Sequence, residues 1–220
     1  MSCASVAGKV VGITGGGGFI GLGFIDRFQK LDQPPKEIRA LDLSPKVKEE
    51  IERRGAKAFI GSVNDDAIVS QFCAGCDVII HLAAIVKANG DWNVFRKVNV
   101  EGTRKVVSIA AQSGVKKFVF FSSVMVYGFY FREGVDEAGP FKGDCNPYCQ
   151  TKIEGECVVQ EYRSKNMQVH IIRPGDVYGA GNSVWVIPFV ELARTQGMLL
   201  LPGTDASIIN HVHVDNLIDG

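Results

Sequence analysis

A tyrosine and a lysine four residues apart, Tyr148 and Lys152, are the side chains in this sequence best suited to proton chemistry. On a helix, residues at i and i+4 lie on one face, so both side chains point toward the same place. A free phenol has a pKa of ~10, and lowering it by 2 units needs ~2.7 kcal/mol. One ammonium about 4 Å away supplies ~4 kcal/mol of gross attraction at an effective dielectric of ~20. The pair therefore predicts an acidic phenol, although the spacing alone is also typical of an ordinary helix surface.

Near the amino terminus, a β-branched run is followed directly by glycines. Lys9 to Thr14 fits a buried strand, and Gly15, Gly18 and Gly21 follow it with the spacing G-x-x-G-x-x-G. The first glycine permits a tight turn, the second lets backbone N–H groups approach a pyrophosphate, and the third allows a helix to pack closely on the strand. An anion would lie at the helix N-terminus. Because the amphipathic segment Phe19 to Phe28 comes next, we favour a dinucleotide site over a merely flexible glycine-rich loop.

A second strand candidate, Glu37 to Asp42, ends in a carboxylate 21 positions after Gly21. An acid at this place accepts hydrogen bonds from the ribose hydroxyls of an adenosine and repels a 2′-phosphate. The sequence therefore predicts NAD rather than NADP. Lys46 and Lys48 follow closely, but side chains at i and i+2 of a helix diverge, so we interpret them as solvated charges.

Strand-like and helix-like patterns alternate along the chain. Strands are expected at Val10–Thr14, Glu37–Asp42, Lys57–Gly61, Val78–Leu82, Phe118–Ser122 and Val169–Ile172. Helices are expected at Glu49–Arg54, Asp65–Phe72, Phe95–Gln112, Pro147–Lys165 and Trp185–Gln196, with apolar or strand patterns at Met198–Leu201 and Ile208–Val214. This alternation predicts an α/β fold with a doubly wound, mostly parallel sheet, and a cofactor lying across the carboxyl ends of its strands.

Six signatures occur in the order seen in extended short-chain dehydrogenases/reductases, the NAD-dependent epimerase/dehydratase superfamily. They are the glycine spacing, His81–Ala84, Asn99–Thr103, Ser122–Gly128, Tyr148–Lys152 and Arg173–Gly175. The chain resembles that family over essentially its whole length, and among its branches it is most similar to the 3β-hydroxysteroid dehydrogenase type. The resemblance implies a Rossmann fold and hydride transfer between NAD and a secondary alcohol or ketone.

The resemblance also implies a role for each matched residue. Tyr148 matches the general acid/base, Lys152 the residue that lowers its pKa and holds the nicotinamide ribose, and Ser123 the hydroxyl that orients the substrate oxygen. Asn99 matches a cofactor-contacting or helix-positioning residue, and Ser62 stands where relatives often have an Asp near the adenine. The cofactor-binding positions are then Gly15, Gly18, Phe19, Ile20, Gly21, Asp42, Ser62, Val63, Leu82, Ala83, Ala84, Asn99, Tyr148, Lys152, Pro174 and Gly175.

Arg173 and Pro174 are expected to divide the chain into an NAD-binding Rossmann domain, residues 1–172, and a substrate-binding region, residues 173–220. In the family, this second region continues with a further helix, another strand and most of the substrate pocket. We therefore expect a C-terminally truncated chain that holds the cofactor site and only part of the substrate site.

Three positions bear on the substrate. Family members that act on nucleotide sugars typically carry an Arg-Asp pair where this chain has Ile209 and Asn210, and an Asn where it has Asp176. An isoleucine cannot bind a diphosphate and a carboxylate repels one. The run Phe129–Phe131 offers an aromatic wall, or simple loop packing. We expect a small, hydrophobic, 3β-hydroxysteroid-like or isoprenoid-like alcohol; the alternatives are a nucleotide-sugar epimerase or dehydratase, and a non-catalytic NAD sensor or scaffold.

The composition argues against other classes of partner. The 24 basic and 24 acidic residues cancel without long runs of either sign, so neither nucleic acid nor an anionic membrane surface is expected to be bound. No stretch approaches the ~18 apolar residues of a membrane span. The start, Met1–Ser5, lacks the pattern of a secretory signal, and we expect a cytoplasmic protein. The resemblance adds a possible homodimer, formed through the helices of residues 95–112 and 147–165.

Cysteines and histidines do not form a metal-binding pattern in this sequence. Cys73 and Cys76 form a CxxC, but no second CxxC accompanies it, and reduced structural thiols are the better interpretation. The remaining cysteines and the four histidines are scattered: Cys3, Cys145, Cys149, Cys157, His81, His170, His211 and His213. No metal is therefore expected.

Overall fold

The computed structural model of the chain describes residues 6–87, 89–128, 134–143, 146–164, 166–182, 186–197 and 210–220. Its centre is a six-stranded sheet with the order β3-β2-β1-β4-β5-β6, in which all five pairings are parallel. The strands are β1 (Val10–Thr14), β2 (Glu37–Asp42), β3 (Lys57–Ile60), β4 (Val78–His81), β5 (Lys117–Phe121) and β6 (Gln168–Ile172). The predicted α/β fold with a parallel central sheet is confirmed.

Helices cover both faces of this sheet. They are α1 (Phe19–Gln29), α2 (Lys48–Arg53), α3 (Asp66–Cys73), α4 (Trp92–Phe95), α5 (Thr103–Gln112), α6 (Pro147–Glu161), α7 (Val186–Gln196) and α8 (Val214–Asp219). Apolar side chains of α1, α2 and α8 form one core cluster against the sheet, and those of α3, α5 and α6 form the other. Strands buried on both faces need continuous apolar runs rather than alternating ones, which explains sequences such as Val78–Ile80.

The strand order places the switch point of the sheet between β1 and β4. The chain leaves these neighbouring strands in opposite directions, so a crevice opens beyond their carboxyl ends. Helix α6 reaches this crevice with a defined start, because Asn146 Oδ1 accepts hydrogen bonds from the backbone N–H groups of Tyr148 and Cys149 at 2.8 and 3.2 Å. Pro147 follows at the first helical position, where its missing N–H costs nothing.

The long helix expected over residues 95–112 is not continuous. A π-helical stretch, Arg96–Gly102, separates α4 from α5. The cause is tertiary: the Asn99 side chain bonds to the backbone of Ile85, and Thr103 Oγ1 donates to the Asn99 carbonyl at 2.7 Å. Such π-helical turns are frequent at functional sites.

Several boundaries are shifted by one residue, as in β5 and α3, and the C-terminal half differs further from expectation. Helix α6 ends at Glu161 rather than near residue 165. A short strand that the sequence analysis missed, β7 (Asp176–Tyr178), pairs in parallel with β8 (His211–His213) in a separate two-stranded sheet. The strand pattern that was expected to reach Val214 stops one residue earlier, because Val214 begins α8. The predictions that concern Met1–Ser5, Phe129–Phe131, Trp185, Met198–Leu201, Ile208 and Ile209 lie outside the described residues.

Among the residues that the structure describes, no helix has the length and apolar character needed to span a bilayer.

Candidate active site

A cleft of about 520 Å³ lies at the carboxyl ends of the strands, and segments that follow β1, β2, β4, β5 and β6 line it. Most of the predicted site residues are brought together here: Gly15, Gly18, Phe19, Ile20, Gly21, Asp42, Leu82, Ala83, Ala84, Ser123, Tyr148, Lys152, Pro174 and Gly175. Residues that the site prediction did not include also line it: Val86, Lys87, Phe121, Ser122, Met125, Asn146, Asp176, Val177 and Asn182. Of these, Asn146 could have been predicted from the sequence, because Asn directly before Pro is typical of a helix N-terminus and Asn146 precedes the helix of Tyr148 and Lys152.

The glycine turn leaves no room for side chains on the strand side of the cleft. Gly15 has a φ of +67°, and a Cβ on it would meet the Ala83 backbone nitrogen at 3.0 Å. A Cβ on Gly21 would lie 2.6 Å from the Gly15 carbonyl oxygen. Helix α1 therefore approaches β1 closely and presents the free backbone N–H groups of its first turn to the cleft. Such a helix end suits a pyrophosphate.

Asp42 closes the far end of this wall. Its two carboxylate oxygens accept hydrogen bonds from the backbone N–H groups of Gly17 and Ser44, each at 3.0 Å. Each oxygen keeps a further lone pair, so the carboxylate can still accept from another donor. The carboxylate is thus fixed beside the glycine turn, where a ribose next to a bound pyrophosphate would lie.

Ser123, Tyr148 and Lys152 meet at the other side of the cleft. Ser123 follows β5 and caps a short 3-10 helix, Val124–Tyr127, by accepting a hydrogen bond from the Met125 N–H at 3.1 Å. Lys152 lies on α6, and its Nζ donates to the Phe121 carbonyl oxygen at 2.7 Å. The same Nζ lies 5.9 Å from the centre of the Tyr148 ring. The neighbouring Ser122 hydroxyl is buried and has no hydrogen-bond partner among the described residues.

The electrostatics of this trio differ from the sequence-based argument. Burial raises the pKa of Tyr148, and hydrogen bonding with Ser123 only partly opposes this. Burial also lowers the pKa of Lys152 to about 8, against the attraction of Glu156. The expectation that the lysine alone makes the phenol acidic is therefore not met. Desolvation has the largest effect on the pKa of each group, and the ammonium is bonded to the Phe121 carbonyl.

A chain of buried hydrogen bonds runs beneath the cleft through His81. Thr103 Oγ1 donates to the Asn99 carbonyl, so it must accept from His81 Nε2, which lies 2.9 Å away. His81 Nδ1 is then the acceptor for Thr14 Oγ1 at 2.7 Å. Burial, and to a smaller degree Lys152, lower the pKa of His81 to about 3. The imidazole is thus neutral and fixed in one tautomer.

Asn99 positions other groups and does not line the cleft. It is 2% exposed; its Oδ1 accepts from the Ile85 N–H at 2.7 Å, while its Nδ2 donates to the Ile85 carbonyl and to Thr151 Oγ1. Ser62 and Val63 also fall outside the cleft lining. Ser62 Oγ accepts from the Asn64 N–H, and Val63 is buried in the core. Contact of these residues with a cofactor stays a prediction.

The thiols of the CxxC are free, and both are buried at the end of α3. Burial raises the pKa of Cys73 to about 12 and that of Cys76 to about 11. Both are therefore protonated, unreactive thiols at neutral pH. Within the described ranges, no three His, Cys, Asp or Glu side chains come together as a metal site would require.

The chain matches the 3-beta hydroxysteroid dehydrogenase/isomerase family over residues 12–219. It belongs to this family. The predicted resemblance to the 3β-hydroxysteroid type of extended short-chain dehydrogenases/reductases is confirmed.

Individual relatives of the chain are named for different activities. It is 26% identical to 4-hydroxy-2-methyl-3-oxo-4-farnesyl-3,4-dihydroquinoline-1-oxide ketoreductase of Stigmatella aurantiaca, over 94% of this chain and 62% of that protein. It is 33% identical to dTDP-D-glucose 4,6-dehydratase of Mus musculus, over 96% of this chain and 63% of that protein. The chain thus spans about three fifths of the length of these curated relatives.

Among solved structures, the chain is similar to DesIV, a dTDP-glucose 4,6-dehydratase from Streptomyces venezuelae crystallised with NAD and TYD. The TM-score is 0.81 at 26% identity, covering 95% of this chain and 69% of DesIV.

Proposed function

We propose that this protein is an NAD-dependent oxidoreductase that transfers hydride between a secondary alcohol or ketone and the nicotinamide. One observation carries the proposal: a hydroxyl, a phenol and an ammonium, on Ser123, Tyr148 and Lys152, line the same cleft as the glycine turn and Asp42. A dinucleotide needs a side-chain-free turn at a helix N-terminus and an acid for its ribose, and both are present. DesIV, which has a similar fold, was crystallised with NAD. When bound, the cofactor supplies the hydride acceptor.

In this proposal the protein side chains handle the oxygen and the proton. Ser123 and Tyr148 donate hydrogen bonds to the substrate oxygen, so negative charge that develops there is stabilised. During ketone reduction, Tyr148 gives its phenolic proton to the substrate oxygen as hydride reaches the carbon; during alcohol oxidation, the phenolate form of Tyr148 takes the hydroxyl proton while hydride leaves the carbon. Lys152 is held at the base of the cleft by the Phe121 carbonyl, within reach of a ribose.

For the substrate, we propose a hydrophobic, uncharged molecule such as a steroid or isoprenoid alcohol. Asp176 lines the cleft with a partly buried carboxyl group, whose pKa is raised by burial. A diphosphate beside it would face repulsion. Val86, Met125 and Val177 add apolar lining. The Stigmatella aurantiaca relative is named for a farnesyl-bearing ketone.

The division into an NAD-binding domain, residues 1–172, and a substrate-binding region, residues 173–220, is part of the proposal. Pro174 and Gly175, next to the boundary, line the cleft. The second part therefore begins at the site and contributes Asp176, Val177 and Asn182 to its wall.

A nucleotide-sugar dehydratase or epimerase is the second candidate. The 33% identity to the Mus musculus dTDP-D-glucose 4,6-dehydratase and the similarity to DesIV favour it. The carboxyl group of Asp176 in the cleft argues against it.

The test is a cofactor and substrate screen of the purified protein with a matched pair of variants. NAD and NADP are compared against sterols, isoprenoid alcohols and sugar nucleotides. Tyr148→Phe is expected to keep NAD affinity and to lose about a thousandfold in turnover. Tyr162→Phe, at the carboxyl end of the same helix, is the control and should leave turnover unchanged.

The possible outcomes separate the candidates. Turnover of an apolar alcohol that Tyr148→Phe abolishes supports the proposal. Calorimetric binding of a sugar nucleotide, with no turnover of apolar alcohols, replaces it with the second candidate. NAD binding without turnover of any substrate, and with no effect of Tyr148→Phe in cells, indicates an NAD sensor or scaffold.

A further inference from the structure

We propose that Arg173 is a positioning residue that fastens the segment 134–143 and the 3-10 helix Val124–Tyr127 to the helix α6, and so fixes Ser123 relative to Tyr148. From the sequence, Arg173 is expected only to begin the family signature Arg173–Gly175 and to mark the end of the dinucleotide-binding part. The structure places its guanidinium, just after β6, in contact with α6, with the 3-10 helix Val124–Tyr127 and with the segment 134–143.

The guanidinium makes a two-pronged ion pair with α6. Arg173 Nε donates to Glu156 Oε1 at 2.8 Å, and the same guanidinium's Nη2 donates to Oε2 at 2.6 Å. The side chains are 13% and 4% exposed, so the pair is shielded from water and salt. Glu156 lies one helical turn beyond Lys152, on the helix that also carries Tyr148. Arg173 is thereby bonded to α6 one helical turn from Lys152.

The remaining amino group of Arg173 binds two oxygen atoms that lie outside α6. Arg173 Nη1 donates to Tyr127 Oη at 2.7 Å and to the Glu137 carbonyl oxygen at 2.8 Å. The guanidinium carbon also lies 4.7 Å from the Phe141 ring centre and 5.3 Å from that of Tyr127. Glu137 and Phe141 belong to the segment 134–143, and Tyr127 ends the 3-10 helix that Ser123 begins.

This arrangement links parts of the chain that are far apart in sequence but border one cleft. Ser123 and Tyr148 flank the connection that contains the segment, and both line the cleft. Arg173 itself immediately precedes Pro174 and Gly175, which also line the cleft, and the Pro174 carbonyl accepts a hydrogen bond from the Val124 N–H at 3.0 Å, next to Ser123. A shift of the 3-10 helix against α6 would therefore change the distance between Ser123 and Tyr148, the groups proposed to contact one substrate oxygen.

Only arginine has the shape for this position. One edge of its planar guanidinium donates to a carboxylate, and a second edge donates to two further oxygens. The flat face of the guanidinium packs on aromatic rings. A lysine keeps the charge but has three donors on one atom, so it cannot reach Glu156, Tyr127 and Glu137 together. Two backbone bonds would still tether the segment: the Lys142 N–H donates to the Val126 carbonyl at 2.8 Å, and the Asn146 N–H donates to the Gly143 carbonyl at 2.9 Å. Loss of the fork should therefore loosen the segment without detaching it.

The experiment compares Arg173→Lys with Arg39→Lys by hydrogen exchange measured with mass spectrometry. Arg39 is a matched control, since its side chain is also 13% exposed and its fork also holds a carboxylate, Glu37, and two carbonyl oxygens, of Phe72 and Ala74. Arg173→Lys is expected to speed exchange in residues 134–143 about tenfold, while Arg39→Lys leaves it unchanged. Phe141→Ala removes an exposed ring and leaves the ion pair intact, and it should also speed exchange in residues 134–143. This second variant keeps the proposal testable if Arg173→Lys does not fold.

The kinetic arm rests on the proposed function. In Arg173→Lys, the KM for the alcohol should rise about tenfold while the dissociation constant of NAD changes by less than about threefold. Unchanged exchange in both Arg173→Lys and Phe141→Ala, or equal loosening in Arg39→Lys, would overturn the proposal. If the wild-type protein oxidises no alcohol, the proposed function fails. The exchange data still decide whether Arg173 fastens the segment 134–143 to α6.

Discussion

The hydroxyl of Thr151 accepts a hydrogen bond from the side-chain amide of Asn99, with 3.0 Å between Oγ1 and Nδ2. Thr151 lies between Tyr148 and Lys152 on α6, and its own hydroxyl proton goes to the Pro147 carbonyl at 2.7 Å. The same amide exchanges two hydrogen bonds with the backbone of Ile85, in the segment that follows β4. One buried side chain thus connects the wall of the cleft to the helix that carries the phenol.

Removal of the Thr151 hydroxyl should therefore destabilise the fold measurably. Thr151→Val keeps the shape of the side chain but leaves one buried N–H of Asn99 without its partner. The expected loss in the free energy of unfolding is about 1–2 kcal/mol, measured by denaturant titration. Thr195→Val on α7 is the control: Thr195 is exposed, and its hydroxyl makes the same kind of bond, to the Glu191 carbonyl at 2.8 Å. It should stay within about 0.5 kcal/mol of wild type. Equal losses in the two variants would show that the Asn99 contact contributes nothing.

Asp42 should set the preference between the two dinucleotides. Its carboxylate is fixed beside the glycine turn by two backbone N–H groups, so it repels a 2′-phosphate that approaches this end of the cleft. Asp42→Asn should shift the ratio of NADP to NAD affinity toward NADP by about tenfold, measured by fluorescence titration of each. Asp77→Asn is the control, because Asp77 also accepts a backbone N–H, from Val10 at 2.8 Å, but before β4 begins. A ratio that stays constant in Asp42→Asn would rule out this role for the acid.

The fold was largely predictable because its elements depend on local patterns. Strands β1 and β2 begin and end where expected: β1 is a run buried along nearly its whole length, and β2 buries Ile38, Ala40 and Leu41 between partly buried charged residues. The π-helical stretch was not predictable from periodicity, because it follows from contacts between Asn99 and Ile85, 14 positions away. Strand β7 was missed for a similar reason: its three residues become a strand by pairing with β8, 35 positions later.

The candidate site was likewise predictable only in part. The glycines, Asp42, Tyr148 and Lys152 could be found because residue type and spacing determine what they can do. The electrostatics could not, since the raised pKa of Tyr148 follows from its burial. The contacts of Arg173 were also hidden, because its partners Glu156, Tyr127 and Glu137 come from separate parts of the chain.

Two glycines of the turn should respond differently to alanine. Gly18 has extended backbone angles, and a Cβ on it would meet only the Gly15 carbonyl, at 3.2 Å. Gly18→Ala should therefore fold but place a methyl at the anion site, so NAD affinity should fall about tenfold in calorimetric titration. A Cβ on Gly21 would lie within 2.8 Å of three backbone atoms, so Gly21→Ala should also cost about 1–3 kcal/mol of stability. A Gly18→Ala protein with normal NAD affinity would show that the cofactor binds elsewhere.

The buried ammonium of Lys152 should give the protein an unusual dependence of stability on alkaline pH. Burial lowers its pKa from 10.5 to about 8, so between these values the unfolded chain holds a proton that the folded protein has released. Stability therefore rises with pH across this window, and the contribution is lost as the pH falls through 8. At 1.36 kcal/mol per unit, the effect is on the order of 3 kcal/mol.

Lys152→Met tests this, because methionine fills similar space without a charge. The difference in unfolding free energy, wild type minus Lys152→Met, should increase between pH 8 and 10.5, as measured by urea titration at several pH values. The thiols of Cys73 and Cys76, whose raised pKa values act in the opposite direction, are present in both proteins and cancel in this difference. Lys116→Met, at an exposed position, should follow the wild-type curve. If the Lys152→Met difference stays flat across this window, the ammonium is not desolvated, and the electrostatic account of the trio with Ser123 and Tyr148 must be abandoned.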